Sequence, residues 1–265
     1  MTMVKNSQSE RRPLLEVAGL RVSFSQYGRL FARRKSTVLH GVDLEIYPGE
    51  VLAVVGESGA GKSVLADAIL GLLPRNAEVA GQITYQGEPL NSEQRRGADI
   101  RYVPQGVSNI DPTMKVERFV SRDRQPAGPR LERFDIGEEL WGRYPHELSG
   151  GQLRRVLLAT SITEELKLLI ADEPTPGLHK AATEQVLGYF DELRARGVAV
   201  LLITHDMVTA ARIADRMVVL KDGSIDAVFP PHATDQLTGY SEQLWRVQPA
   251  NEFWDAVVDL EERGR

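Results

Sequence analysis

Gly56-Glu57-Ser58-Gly59-Ala60-Gly61-Lys62-Ser63 constrains the fold of this chain more than any other stretch. It follows the apolar run Val51-Leu52-Ala53-Val54-Val55 and leads into the apolar-periodic segment Val64 to Leu73, so the pattern predicts strand, glycine loop and helix in succession. Glycines let backbone N–H groups turn inward around an anion, and the helix that follows aims its positive dipole end at the same point. The spacing G-x-x-x-x-G-K-[ST] is that of a P-loop. Gly56, Ser58, Gly59, Ala60, Gly61 and Val64 form or flank the cradle, Lys62 is expected at the terminal phosphates, and the Ser63 hydroxyl at Mg²⁺. The expected ligand is a nucleoside triphosphate. A glycine-rich turn that holds nothing would not need the flanking strand and helix.

The rest of the chain narrows the class. With 265 residues, 42% of them hydrophobic, it can bury the core of one large α/β domain, with or without a small appendage. A formal net charge of −5 argues against nucleic acid or anionic lipid as the main partner. The sequence contains no cysteine, which excludes thiol-ligated zinc, iron–sulfur clusters and disulfides and agrees with a reducing cytoplasm. Met1 to Arg12 has no apolar core, so no secretory signal is expected. No apolar run approaches the roughly 20 residues that cross a bilayer, so a membrane role is expected to go through a partner.

In chain order, Leu14 to Phe24 reads as a strand, Ser25 to Ser36 as an Arg-rich hairpin tip or loop, and Val38 to Ile46 as a second strand. Phe24, or Tyr27 in its place, is a candidate to stack on a base. Leu72-Leu73-Pro74 is expected to stop the P-loop helix. Gly81 to Gly87 reads as strand and turn, and Ile100 to Gln105 as a strand that could run beside the P-loop and carries Gln105, a candidate Mg²⁺ ligand or water-orienting group, at its end. From Gly106 to Glu147 prolines, Gly128 and scattered charges separate short amphipathic pieces such as Leu131 to Leu140, the expected inserted subdomain.

Leu148-Ser149-Gly150-Gly151-Gln152 opens a helix expected over Leu153 to Thr163 and presents a second set of N–H groups at a helix start. A second anion site is implied, and its phosphate should come from elsewhere, because the first site has its own helix start. Leu168 to Glu173 is a buried-type strand ending in paired acids, which coexist only with a cation or a proton between them. Asp172 is expected to hold Mg²⁺ and Glu173 to polarise the attacking water. Ala181 to Arg196 reads as an amphipathic helix, and Val198 to Ile203 as a central parallel strand that places His205 at its carboxyl end, within reach of a γ-phosphate. Met217 to Ile225 closes with a hairpin, and Glu252 to Leu260 reads as an amphipathic helix with Phe253, Val257 and Leu260 inward.

GESGAGKS, Gln105, LSGGQ, LLIADEP and His205 resemble, in order, the motifs of the nucleotide-binding subunit of an ATP-binding cassette (ABC) transporter. The wording Tyr144-Pro145-His146-Glu147 before the signature and the ending Tyr240 to Trp245 are similar to the peptide and nickel group of importer ATPases. The resemblance implies a RecA-like P-loop NTPase core with an N-terminal antiparallel β subdomain and a shortened helical insertion. The cassette would span residues 13–230, with the insertion at about 106–153 and a C-terminal extension over 231–265. It also implies ATP with Mg²⁺, and two subunits that sandwich two nucleotides, each between one P-loop and the partner's Ser149-Gly150-Gly151-Gln152. Transmembrane permeases at the cytoplasmic face of the membrane, an extracytoplasmic binding protein, and peptide or nickel chelate as cargo follow from the same likeness. An exporter subunit and a soluble cassette acting on a macromolecule are the competing expectations. Two departures stand out: the stretch from Gln105 to Leu148 is short, and Pro176-Gly177-Leu178-His179 replaces the family's small-residue pair, Leu and Asp. In the family this segment lies across the dimer interface, so the departure leads to the expectation of a second, different ATPase subunit.

Overall fold

The structure is a computed structural model that describes residues 12–27 and 33–248. The expected helix over Glu252 to Leu260 and the Tyr27 side chain lie outside what it describes.

The N-terminal half runs β1 (Leu15–Tyr27), β2 (Arg33–Ile46), β3 (Val51–Val55), α1 (Lys62–Leu70), β4 (Ala77–Tyr85), β5 (Glu88–Pro89), α2 (Ser92–Arg95) and β6 (Ile100–Val103). There follow α3 (Val116–Val120), α4 (Gly128–Glu132), α5 (Glu138–Trp141), α6 (Gly150–Ala159), β7 (Leu168–Asp172) and α7 (Lys180–Ala195). The chain closes with β8 (Ala199–Thr204), α8 (Met207–Ala211), β9 (Arg216–Lys221), β10 (Ser224–Phe229) and α9 (Gly239–Arg246).

Two sheets result. An antiparallel sheet has the order β2-β1-β4-β5, and a six-stranded sheet the order β10-β9-β3-β8-β7-β6, parallel except for β10. The central strands β3, β7 and β8 are buried at every position because both faces are covered, and their runs are apolar up to the polar residues at the carboxyl ends of β7 and β8. Val51, Ala53 and Val55 of β3 join the core beneath the helical layer of α3 to α8, whereas Leu52 and Val54 face α1 and the antiparallel sheet. The architecture is thus a P-loop α/β core between an antiparallel β layer and a helical layer, of which α3 to α6 are inserted between β6 and β7.

Several boundaries differ from the sequence reading for local reasons. The strands β1 and β2 extend into the expected hairpin tip, because Ser25 to Tyr27 pair with Arg33 to Lys35. The P-loop helix ends before Leu72: Gly71 adopts φ 64, and Gly71 and Leu72 donate backward to Ala68 at 3.3 Å and Asp67 at 2.8 Å, a Schellman-type stop. Pro74 acts only after the helix has ended. Gln105 follows an edge strand rather than one beside β3, since β8 and β7 intervene. The helix α6 starts at Gly150, so the signature glycines form its first turn.

Candidate functional site

All parts of the site sit at the carboxyl ends of β3, β6, β7 and β8, where an open α/β sheet leaves a crevice. After β3 the loop Gly56 to Gly61 turns into α1, and a Cβ on Gly56 would lie 2.3 Å from the Leu220 carbonyl oxygen, so only glycine fits there. Lys62 is buried, and its Nζ donates to the Gly56 carbonyl at 2.6 Å and the Glu57 carbonyl at 3.0 Å. Burial lowers its pKa, and Glu173 and Asp172 oppose that shift. The ammonium is thereby held at the loop by carbonyl dipoles, at the point where a phosphate anion would replace them.

Ser63 Oγ donates to Asp172 Oδ2 at 2.9 Å, bringing together two of the three residues expected to hold Mg²⁺. Burial raises the Asp172 pKa; the Ser63 hydroxyl lowers it and the neighbouring Glu173 raises it further. A hydroxyl, a buried carboxylate and a nearby amide oxygen suit a small hard cation that completes its shell with water and substrate phosphates. Among the described residues no cluster of three or more His, Asp or Glu could hold a metal ion by itself. Ser58, Gly59, Gly61, Lys62, Ser63, Val64, Gln105, Asp172 and Glu173 line one cleft of about 370 Å³, together with Val38. Gly56 and Ala60 shape the loop without lining it.

Glu173 carries φ 49 and is 5% exposed. Its Oε2 accepts from Thr204 Oγ1 at 3.1 Å, its Oε1 accepts from the His205 N–H at 3.0 Å, and His205 Nδ1 lies 2.7 Å from the same Oε1. Adjacent parallel strands β7 and β8 thus join Glu173 and His205, and the His205 ring remains 60% exposed. A carboxylate fixed in this way has the chemistry of a general base.

Ser149, Gly150, Gly151 and Gln152 are not part of this cleft. Ser149 caps α6 through a capping box: Gln152 N donates to Ser149 Oγ at 3.3 Å and Ser149 N to Gln152 Oε1 at 2.8 Å. Ser149 and Gly150 are exposed, and Gly151 faces the turn at Gly177 and Leu178. Phe24 is also apart: it lies half-buried between Ser36 and Ala77 in the antiparallel sheet and packs on the core. Sequence reasoning missed Val38, Thr204 and Arg154, which no local motif marks. A larger cleft of about 720 Å³, lined by Glu45, Tyr47, Glu50, Asp215 and Arg216, lies at the opposite end of β3 and lacks a glycine loop.

Comparison with known proteins agrees with this geometry. The ABC transporter family profile matches residues 39–176. The peptidoglycan transport ATP-binding protein YejF of Agrobacterium fabrum is 34% identical over 92% of this chain and 49% of its own length. The dipeptide transport ATP-binding protein DppD of Bacillus subtilis is 36% identical, over 80% of this chain and 69% of that protein. The chain therefore spans about half of the first relative and two thirds of the second. Among solved structures, the dimeric ATP-binding cassette MJ0796 bound to ADP and Pi superposes with a TM-score of 0.71 at 23% identity, covering 82% of this chain and 98% of that one. An ATP-binding subunit of an ABC transporter superposes with 0.69 at 27% identity, covering 88% and 98%.

Proposed function

We propose a function from a fixed premise: the chain belongs to the ABC transporter family, among ATP-binding subunits of the peptide-transport type. The reading is that it hydrolyses ATP with Mg²⁺ to drive a peptide importer, nickel chelate being the other cargo of the group it resembles. The observation that carries it is the meeting of Ser63 with Asp172 and of Glu173 with His205 around one glycine-lined cleft.

In this reading the loop N–H groups and Lys62 bind the phosphates, and Ser63, Asp172 and Gln105 hold Mg²⁺, which when bound neutralises charge on the phosphates. Glu173 takes a proton from the attacking water, and His205 holds that carboxylate on one side while its exposed ring faces the γ-phosphate. Ser149, exposed, and the half-buried Gly151, both away from the cleft, serve a nucleotide held by another subunit. The domain division follows: a cassette over 13–230, a helical insertion at about 106–153, and an extension from 231.

Gly177 and Leu178 lie against Gly151, and the departure of Pro176 to His179 from the family's pattern beside the signature supports a second, different ATPase chain as the partner. Two permeases and a binding protein complete the system at the cytoplasmic face of the membrane; among the described residues no helix is long and apolar enough to cross one. The test is to purify the chain in mild detergent, identify its companions, and measure ATPase activity of the chain alone and of the assembly. Two permeases and a second ATPase, with activity confined to the assembly, are expected. Full coupled activity from a homodimer would remove the heterodimer, and recovery with ribosomes or nucleic acid in place of permeases would overturn import.

A further inference from the structure

Arg154 lies in the second turn of α6, and its guanidinium forks between carbonyls from two different edges of the cleft. One Nη donates to the carbonyl of Glu173, and the other donates to the carbonyl of Gln105 at 3.2 Å. The first acceptor belongs to a residue with φ 49, a left-handed backbone that a non-glycine residue keeps only where its surroundings fix it. The second belongs to the loop after the edge strand β6, whose Gln105 side chain is exposed. The adjacent Arg155 acts elsewhere: its Nη1 donates to the carbonyls of Phe134 at 3.1 Å and Asp135 at 3.0 Å, inside the helical layer. Of two consecutive arginines, one ties the helical layer to itself and the other ties it to the cleft.

We infer that Arg154 is a positioning residue that sets the spacing between the Gln105 loop and the Glu173 turn and links both to the helix carrying Ser149 to Gly151. Displacement of α6 by whatever meets its N-terminal end then reaches the two groups beside the phosphates through one side chain. A planar fork spans two acceptors, whereas a single ammonium engages one, so lysine is not an equivalent. The Glu173 carboxylate is aligned by Thr204 and His205, and a shift of its backbone changes that alignment; misplacement by about 1 Å can cost on the order of 10²-fold in rate. The inference rests on the reading of Glu173 and Gln105 as groups of an ATPase.

The test compares the full chain with Arg154→Gln and Arg154→Lys. Hydrogen exchange in MgATP should rise about tenfold over residues 104–109 and 173–178 in Arg154→Gln, while α1, β8 and the MgATP affinity by calorimetry stay within about twofold. In the assembled transporter, kcat should fall about tenfold or more at unchanged KM for ATP, with Arg154→Lys recovering only a minor part. Unchanged exchange in both segments, loosening spread evenly through the sheet, or full recovery by lysine would overturn the inference. Failure of the unmodified chain to bind MgATP would instead overturn the ATPase reading, so the two failures are distinct.

Discussion

The carboxylate of Glu173 accepts from a hydroxyl and a backbone N–H, and these leave it oriented with an imidazole beside it. Glu173→Gln keeps the size and one acceptor oxygen but loses basicity, so turnover should fall by about 10²–10⁴-fold while MgATP affinity is retained. ATPase assays on the assembly and calorimetry on the chain check this; an unaltered rate would remove Glu173 as the base. Lys62→Ala should do the reverse. It deletes a charge-assisted contact worth about 1.5–3 kcal/mol, so affinity should drop roughly 10- to 100-fold, and unchanged calorimetric affinity would count against the P-loop assignment. These residues were legible in the sequence because their chemistry demands fixed types at fixed short spacings. Val38 and Arg154 were not, since the register of β2 against β1 and the packing of α6 on the cleft bring them in. Phe24 pairs with Ser36 and Ala77 and packs half-buried against the core, a placement set by the pairing of β1 with both β2 and β4 and not by any motif.

Between residues and molecule, the altered turn before α7 shows how a departure from a family pattern is absorbed by an element. His179 is the N-cap of α7, and its Nδ1 accepts the Ala182 N–H at 3.3 Å. The imidazole thus takes over a capping task for which a carboxylate is better suited, as an anion at a helix N-terminus also meets the positive end of the dipole. His179→Ala should cost about 1 kcal/mol, lowering Tm by about 2–4 °C, whereas His179→Asp should keep or raise it. Thermal denaturation decides; an alanine variant as stable as the parent would show the cap to be idle. Capping also explains which boundaries were legible. The strong apolar runs of β3, β7 and β8 were placed within a residue or so, but the end of α1 depended on the backbone angle of Gly71, and the start of α6 on the reciprocal Ser149 and Gln152 bonds.

Across the whole molecule, the second anion-binding signal lies outside the cleft that holds the first. The glycine loop, Asp172 and Glu173 gather at one crevice, while Ser149 and Gly151 open α6 beside the Gly177 turn, Ser149 exposed and Gly151 half-buried. The separation agrees with the sequence reading, in which each glycine-rich helix start calls for an anion of its own. Gly151→Asp tests what the exposed start is for. A Cβ on Gly151 would lie 3.5 Å from the Gly177 carbonyl and 3.8 Å from a Leu178 methyl, ordinary contacts, so the substitution should leave this chain folded. Its carboxylate would nevertheless stand where a phosphate of another subunit's nucleotide should come. MgATP binding by the isolated chain and its Tm should therefore stay at the parent values, while the ATPase of the assembly falls about tenfold or more, the effect of losing transition-state donors. If isolated-chain affinity fell as far as the assembly's turnover, the signature would be acting on its own P-loop, and the two-subunit site would have to be abandoned.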